Sequence, residues 1–244
     1  MTPPRGSLLG QAWLILLLGI LFGGALVGVH TGLSPKIAAN QRAETLRQLP
    51  GLVLPAERMA GAEISVAGDR IAVRWAGEEA LELAVAESAV AGHQLYALTG
   101  ADGAPLGYVV RGKGPGYADE IEMLVGLSGD LERLTGLFVL AQKETPALGD
   151  GITKEPFRRW FVGAPADRAL ELVKSEGEAT REPGRVLALT AATVTSRAVC
   201  DIVNATVAAV RPELAKTAPP EVPAAPAPAA EPVETEEGES DGGR

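Results

Sequence analysis

The sequence is poor in cysteine, histidine and aromatic residues. Its 244 residues include one cysteine, two histidines and 4% aromatic residues. Cys200 alone excludes an internal disulfide and any iron–sulfur cluster held by several cysteines. Because His30 and His93 are the only histidines, a protein metal site is not expected. The core must therefore be built mainly from Ala, Val, Leu and Ile.

Basic residues form no stripe along the chain. The formal net charge is −9, and the seven acidic residues and one arginine after residue 216 supply −6 of it. This charge argues against nucleic acid as a partner. Residues 213–244 are rich in Pro, Ala and Glu, which predicts a disordered tail, either inert or with a docking or spacing role.

A long apolar stretch near the N-terminus predicts one transmembrane helix. After the short segment 1–7, residues 8–30 are apolar or Gly with few exceptions, enough to cross the hydrocarbon layer of about 30 Å. The apolar core of a cleaved signal peptide is usually about 7–15 residues long, so a retained anchor is favoured. Arg5 precedes the span and Lys36 and Arg42 follow it, so charge does not decide the orientation.

Residues 31–61 are expected to connect the anchor to a soluble domain. Ser34-Pro35 has the residue types of an N-cap and a first helical position, and it predicts a second helix that runs to about Leu49. Pro50-Gly51 is predicted to end that helix.

The region from Ala62 to about Gln142 alternates apolar and polar residues with period two, which predicts a twisted antiparallel sheet. Ser128-Gly129-Asp130 is predicted as a short hairpin turn. The predicted strands are centred on Ile64/Val66, Ile71/Val73/Trp75, Leu81/Leu83/Val85, Leu95–Thr99, Gly107–Arg111, Ile121–Leu127 and Leu131–Ala141.

Helical periodicity replaces this pattern after Glu155. It predicts a short helix with Phe157, Trp160 and Phe161, a second helix over Ala166–Lys174, and a long one after Thr193 that ends before Pro212. The fold class is therefore α+β, with an N-terminal transmembrane helix, and with residues 62–212 forming a sheet flanked by helices.

Three segments carry candidate chemistry. Thr190–Ser196 opens the last helix, where free N–H groups and the helix dipole favour a phosphate, although Thr and Ser also occur there as plain caps. Gly114–Tyr117 and Glu144–Asp150 are tight loops whose backbone amides are suited to a phosphate or the polar edge of a ring. The alternative is ordinary turn chemistry.

Together these segments resemble the FMN-binding domain shared by RnfG (also called RsxG) and NqrC. That family has a membrane helix, a "GY" loop, a strand ending in "ETPGLGD", and "D-x-x-[ST]-G-A-T-x-[ST]-S-R-A-V" at a helix start. This chain has "GPGYADEIEMLVGL", "VLAQKETPALGDGI" and "LALTAATVTSRAVCDIVNATV". The resemblance covers roughly Gly114 to Val210, and it is closer to RnfG than to NqrC.

The resemblance implies that Thr193 carries FMN through a phosphodiester that a separate flavin transferase installs. It implies a flavin site with Tyr117 near the ring, Thr145 as a polar contact and Leu148 as an apolar contact. The remaining implied site residues are Glu144, Gly149, Thr190, Ala191, Ala192 and Thr195.

Three positions depart from the family pattern. Ala191 and Ala147 replace family glycines, and Leu187 replaces the family Asp six residues before the modified Thr. If Ala191 requires a positive φ, its Cβ adds about 1–2 kcal/mol of strain. If the transferase reads the missing carboxylate, attachment is slow or absent, and binding is non-covalent or degenerate.

The resemblance further implies an electron-transfer subunit of a membrane complex that couples ferredoxin/NAD redox chemistry to ion translocation. Its partners would be multi-span membrane subunits and iron–sulfur subunits, and its soluble domain would lie on the periplasmic face of the inner membrane. Two alternatives stay open: a membrane-anchored assembly or binding module that has lost its flavin, and a hydrolase that uses a Ser/Thr nucleophile without a well-placed histidine.

Overall fold

One helix of 46 residues, α1 (Leu8–Val53), opens the described part of the chain. The computed structural model describes residues 8–216 except 102 and 104, and for residues 8–11, 14 and 56 the backbone only. The predictions for residues 1–7 and 217–244 lie outside this range. Within Ile15–Val53, an 18-residue apolar window is fully exposed, which fits a membrane anchor.

The predicted break between an anchor and a second helix is wrong. Ser34 does not cap a helix, because its hydroxyl donates a hydrogen bond to the carbonyl of His30 one turn earlier, at 2.6 Å. Pro50 does not end α1 either. Leu49 and Leu52 on either side of it are buried against the sheet, and this burial outweighs the roughly 3 kcal/mol that an interior proline costs.

The sheet has seven antiparallel strands, as predicted, and they lie in the order of the sequence. Bulges interrupt the pairing of β4 with β5 and of β6 with β7. The strands are β1 (Glu63–Ala67), β2 (Arg70–Arg74), β3 (Leu81–Val90), β4 (His93–Thr99), β5 (Pro105–Pro115), β6 (Glu120–Ser128) and β7 (Leu134–Ala141).

The turn between β6 and β7 is longer than predicted, because β7 begins at Leu134 rather than Leu131. Leu131 has a φ of 61°, a left-handed conformation that does not fit a regular strand. Arg133 forms an isolated bridge with Pro165. The region after β7 thus holds the start of that strand in place.

Each face of the sheet packs against one long helix. The C-terminal part of α1 buries Leu46, Leu49 and Leu52 on one face. The opposite face packs against α5 (Thr193–Leu214), which contributes the predicted apolar stripe Val199, Ile202, Val203, Val207 and Val210. The sheet is thus the middle layer of three.

Short elements precede and follow the seven strands along the chain. They are α2 (Ala56–Met59) before it, and α3 (Glu155–Arg158), β8 (Glu171–Val173), α4 (Glu176–Ala179) and β9 (Arg185–Leu187) between β7 and α5. The predicted helix at Phe157–Phe161 is confirmed as α3 with a following 3₁₀ turn.

The predicted helix over Ala166–Lys174 is wrong. The chain there bends and then forms β8, which pairs in parallel with β9. The side-chain amide of Asn204 accepts a hydrogen bond from the Leu170 N–H at 2.7 Å and donates one to its carbonyl at 3.1 Å. Tertiary hydrogen bonds therefore replace those of a helix.

The end of α5 also differs from the prediction. Pro212 lies inside the helix rather than just past it, and the extra turn buries Leu214. Cys200 lies on the same helix and is 2% exposed. Burial, with a smaller contribution from Asp201, raises the pKa of its thiol to about 12. A thiol of that kind is a small core residue, as expected.

Candidate functional site

The N-terminus of α5 has no side-chain cap. The helix begins at Thr193 after Ala192, which has a φ of −132° and no side chain that can accept a hydrogen bond. The first helical backbone bond runs from the Ser196 N–H to the Ala192 carbonyl at 3.0 Å. Plain capping by Thr or Ser is therefore not what these residues do here, and the first turn keeps the free N–H groups that suit an anion.

The hydroxyl groups around this helix start differ in their hydrogen bonding. Thr195 Oγ1 donates to Glu144 Oε2 at 2.7 Å. Ser196 Oγ donates to the Ala192 carbonyl at 2.9 Å and accepts from the Leu189 N–H at 3.0 Å. Both residues are buried. Thr190 is exposed before the helix.

Thr193 is the hydroxyl left available on the first turn. It is half-buried, and within residues 8–216 its side chain takes part in no recorded hydrogen bond. A group at this position faces the positive end of the helix dipole.

Glu144 joins the three predicted segments. Its Oε1 accepts hydrogen bonds from the backbone N–H groups of Tyr117 at 2.8 Å and Ala118 at 3.0 Å, while its Oε2 accepts from Thr195. The residue is 5% exposed. The sequence placed Glu144 in the site only through the resemblance, and the structure shows that its carboxylate connects the "GY" loop with the helix start.

Two glycines, Gly149 and Gly116, pack closely against Glu144. A Cβ on Gly149 would lie 2.8 Å from Glu144 Cβ and 3.1 Å from Thr195 Oγ1, and a Cβ on Gly116 would overlap Glu144 Oε1. Neither position has room for a side chain. Gly116 was not among the predicted site residues, although "GPGY" is the sequence signal that marks it.

Apolar side chains are exposed around the buried Glu144. Tyr117 is 67% exposed and Leu148 is 43% exposed. Val194, which the sequence reasoning missed, is 59% exposed on the first turn of α5. Thr145 is also exposed and its carbonyl accepts the Leu148 N–H at 3.2 Å. These four exposed residues form the rim of the candidate site, which therefore offers both apolar surface and a polar group.

Asp150 ends the predicted Glu144–Asp150 loop, but it was not among the predicted site residues. Its Oδ1 is buried and has no hydrogen-bond partner in the described structure. It follows Gly149 in the 3₁₀ turn Gly149–Thr153, which contacts α5. A buried acceptor without a donor indicates a missing partner at this loop.

An exposed ion pair lies at the rim. Lys143 Nζ is 2.6 Å from Asp119 Oδ2. Their hydrogen bond is the main cause that lowers the pKa of Asp119 and raises the pKa of Lys143. Because both side chains are in solvent, the pair contributes little to stability.

The two alanines that replace family glycines share one backbone conformation. Ala147 and Ala191 both have a φ of 61°. That conformation is strained for a residue with a Cβ. The third departure, Leu187, is half-buried at the end of β9, where it pairs with Val173.

Ala191→Gly is expected to stabilise the protein. Relief of about 1–2 kcal/mol of strain exceeds the roughly 0.4–1 kcal/mol by which glycine favours the unfolded chain. Chemical denaturation of the full chain in detergent measures the difference. Ala198→Gly, inside α5, is the matched control and should lose about 1 kcal/mol. Equal losses in the two variants would contradict the prediction.

Comparison with known proteins identifies relatives of this region. The family model described as FMN-binding domain matches residues 116–208, which include every site residue discussed above. The G subunit of the ion-translocating oxidoreductase complex of Methanosarcina acetivorans is 27% identical over 172 residues, covering 70% of this chain and 76% of that protein.

Other relatives align over a shorter stretch. The corresponding G subunit of Pseudoalteromonas atlantica is 35% identical over 43% of this chain and 48% of its own. The G subunit of the Na⁺-translocating ferredoxin:NAD⁺ oxidoreductase complex of Acetobacterium woodii is 35% identical over 42% of this chain and 48% of its own. The chain thus spans about half the length of these two. The NqrC crystal structure from Shewanella oneidensis is 24% identical over 46% of this chain and 54% of its own, with a TM-score of 0.41.

Proposed function

We propose that this chain carries FMN on Thr193 and relays electrons within an ion-translocating oxidoreductase complex. The chain matches the FMN-binding-domain family, and its relatives are G subunits of such complexes. The relatives support an FMN site in a subunit of a membrane redox complex. The attachment residue rests on the hydrogen bonding of the hydroxyl groups around the start of α5.

The observation that carries the proposal is the state of the Thr193 hydroxyl. Thr195 and Ser196 are buried and hydrogen-bonded, whereas Thr193 is half-buried on an uncapped helix start. A phosphodiester on Thr193 would keep its negative charge beside the free amides of the first turn, which is a favourable pairing.

The residues around Thr193 fit the rest of the cofactor. Tyr117, Leu148 and Val194 supply exposed apolar surface of the kind that a flavin ring covers, and the buried Asp150 Oδ1 lacks a donor. Gly116 and Gly149 allow the loops to approach closely. Bound FMN supplies redox chemistry that side chains do not have, so the protein's part is to hold and orient it.

The proposed setting is a single-pass inner-membrane protein with its domain on the periplasmic face. The helix α1 provides the anchor, and Arg42, beyond the apolar window, forms an ion pair of 2.6 Å with Glu87 on β3. Multi-span and iron–sulfur subunits would exchange electrons with the flavin, and a flavin transferase that uses FAD would install it. Such a protein needs no general base or catalytic nucleophile of its own.

The test is to express the full chain with and without a flavin transferase and to record intact mass and in-gel flavin fluorescence after denaturation. We expect the mass to increase by one FMN group, joined through its phosphate, and a fluorescent band to appear. Both should occur only when the transferase is present. A dark band and an unmodified mass with an active transferase would overturn covalent attachment.

That second result would favour the assembly module. The strained Ala147 and Ala191 are the observation that motivates this alternative, because glycine occupies both positions in the family that the sequence resembles. A hydrolase gains no support. In the described residues no recorded hydrogen bond joins a histidine to Thr190–Ser196, and His93 Nδ1 instead lies 3.2 Å from the Arg111 carbonyl.

A further inference from the structure

We infer that Glu144 is a positioning residue, which locks the "GY" loop to the start of α5 and keeps Thr195 from serving as the attachment hydroxyl. This inference rests on the proposed function for its consequence, the choice of Thr193. Its structural part, the lock itself, concerns the chain without flavin and is tested separately.

The protein supplies most of the hydrogen bonds that the carboxylate of Glu144 can accept. An ionised carboxylate offers about four lone-pair sites, and three recorded hydrogen bonds of 2.7–3.0 Å already reach its two oxygens. Gly116 and Gly149 close over it so tightly that a methyl group on either would collide with it. Glu144 therefore acts through the backbone that it holds rather than as a direct ligand of a cofactor.

Burial makes this arrangement rigid. A carboxylate that is 5% exposed is tolerated only when donors replace its water, and a lost donor leaves a costly unpaired charge. The Tyr117 and Ala118 amides and the Thr195 hydroxyl are those donors. Opening either the loop or the helix start breaks bonds to the same group, so the two segments are held as a unit.

The lock also distinguishes two threonines on one helical turn. Thr195 is 3% exposed and its hydroxyl donates a hydrogen bond to Glu144 Oε2. Its oxygen is therefore buried and already hydrogen-bonded. Thr193, two residues earlier, is half-buried, and its hydroxyl has no such bond to any residue that the structure describes. The carboxylate thereby confines attachment to Thr193 without touching it.

The first experiment uses the full chain in detergent, made without a flavin transferase. Amide hydrogen exchange at Tyr117 and Ala118 is compared in the wild type, Glu144→Ala, Glu144→Gln and a control variant at a nearby exposed carboxylate, Glu120→Gln. We expect exchange to rise about tenfold or more in Glu144→Ala, because two hydrogen bonds to a charged group are lost. Glu144→Gln should restore most of the protection, since its Oε1 still accepts both amides. Glu120→Gln should match the wild type.

Thr195→Val keeps the test decisive if Glu144→Ala does not fold. It removes one of the three donors with little change of shape, and exchange at Tyr117 and Ala118 should rise severalfold. Unchanged exchange at these amides in Thr195→Val, or a Glu144→Gln variant no better protected than Glu144→Ala, would overturn the lock.

The second experiment repeats these variants with the transferase and maps the modified peptide by mass spectrometry. We expect flavin at Thr193 alone in the wild type. In Glu144→Ala we expect several-fold less flavin at Thr193, with altered visible circular dichroism, and some flavin on Thr195, whose hydroxyl the carboxylate no longer holds. Wild-type levels and spectra in Glu144→Ala would overturn the consequence for attachment. A wild type without flavin would instead refute the proposed function and leave the exchange result intact.

Discussion

Thr193→Ala is expected to lose covalent flavin completely. The variant lacks the one half-buried hydroxyl on the uncapped first turn of α5, and no other oxygen in the described part of that turn is both accessible and free of hydrogen bonds. The band after denaturation should be dark and the mass unmodified. Thr193→Ser, which keeps a hydroxyl at the same place, should retain at least part of the modification.

Thr190→Ala is the matched control for this experiment. Thr190 lies three residues before Thr193 and is exposed, so accessibility alone would favour it as the attachment residue. If the free helix amides decide the position, Thr190→Ala should be modified like the wild type. Flavin that moves to Thr190, Thr195 or Ser196 in Thr193→Ala would show that the transferase does not depend on the local geometry described here.

The sheet could be predicted because a local pattern in the sequence, the alternation of apolar and polar residues, is enough to identify its strands. Alternation with period two, as in Ile71 and Val73 or Leu83 and Val85, follows from one strand face packing on a core. Each of these side chains is buried in the structure. Sequential antiparallel pairing then needs only short turns, and the sequence marks most of those with Gly.

The helix boundaries failed where tertiary contacts oppose local signals. Pro50 is a strong stop signal, yet Leu49 and Leu52 bury against the sheet and extend α1 to Val53. The spacing of Leu170 and Val173 suited a helix, but Asn204, which lies 34 residues away from Leu170, satisfies the backbone of an extended chain. Neither effect is visible in a local window.

The candidate site shows the same division. Motif resemblance placed Thr193, Glu144 and Tyr117 in one site, and the structure brings Glu144 into hydrogen-bond contact with the Tyr117 backbone and with the start of α5. Residue type alone could not separate the hydroxyls, because Thr193 and Thr195 are chemically alike, and Thr193 was singled out only through the motif resemblance. Their difference arises from which one points at a carboxylate 51 residues away from Thr195.

The positive φ of Ala191 illustrates a prediction that needed both sources. The resemblance suggested that glycine belongs there, and chain chirality gives the strain that alanine would feel. The structure supplies the angle of 61° at Ala191 and the same angle at Ala147. Two loops of the proposed flavin site thus carry the same local cost, and both sit next to groups that Glu144 or the helix start holds in place.

Gly116→Ala is expected to destabilise the protein and to damage the site at the same time. The new Cβ would lie 2.7 Å from the Asp119 carbonyl oxygen and 2.7 Å from Ile121 Cδ1, besides overlapping the Glu144 carboxylate. Ile121 is fully buried, and the Asp119 carbonyl accepts the Gly116 N–H at 2.8 Å, so neither neighbour can move freely. Overpacking of this kind costs about 1–3 kcal/mol.

Gly177→Ala separates this effect from the general cost of replacing glycine. Gly177 lies in α4, and beyond its chain neighbours and the helix backbone no described atom lies within 4 Å of an added Cβ, so alanine there should be neutral or stabilising by up to about 1 kcal/mol. Denaturation midpoints and flavin attachment are measured for both variants. Gly116→Ala should lose stability and show faster exchange at the Tyr117 and Ala118 amides, because the displaced Glu144 can no longer accept both. If Gly116→Ala kept the stability and amide protection of Gly177→Ala, the loop would have to be far looser than its contacts with Glu144 indicate.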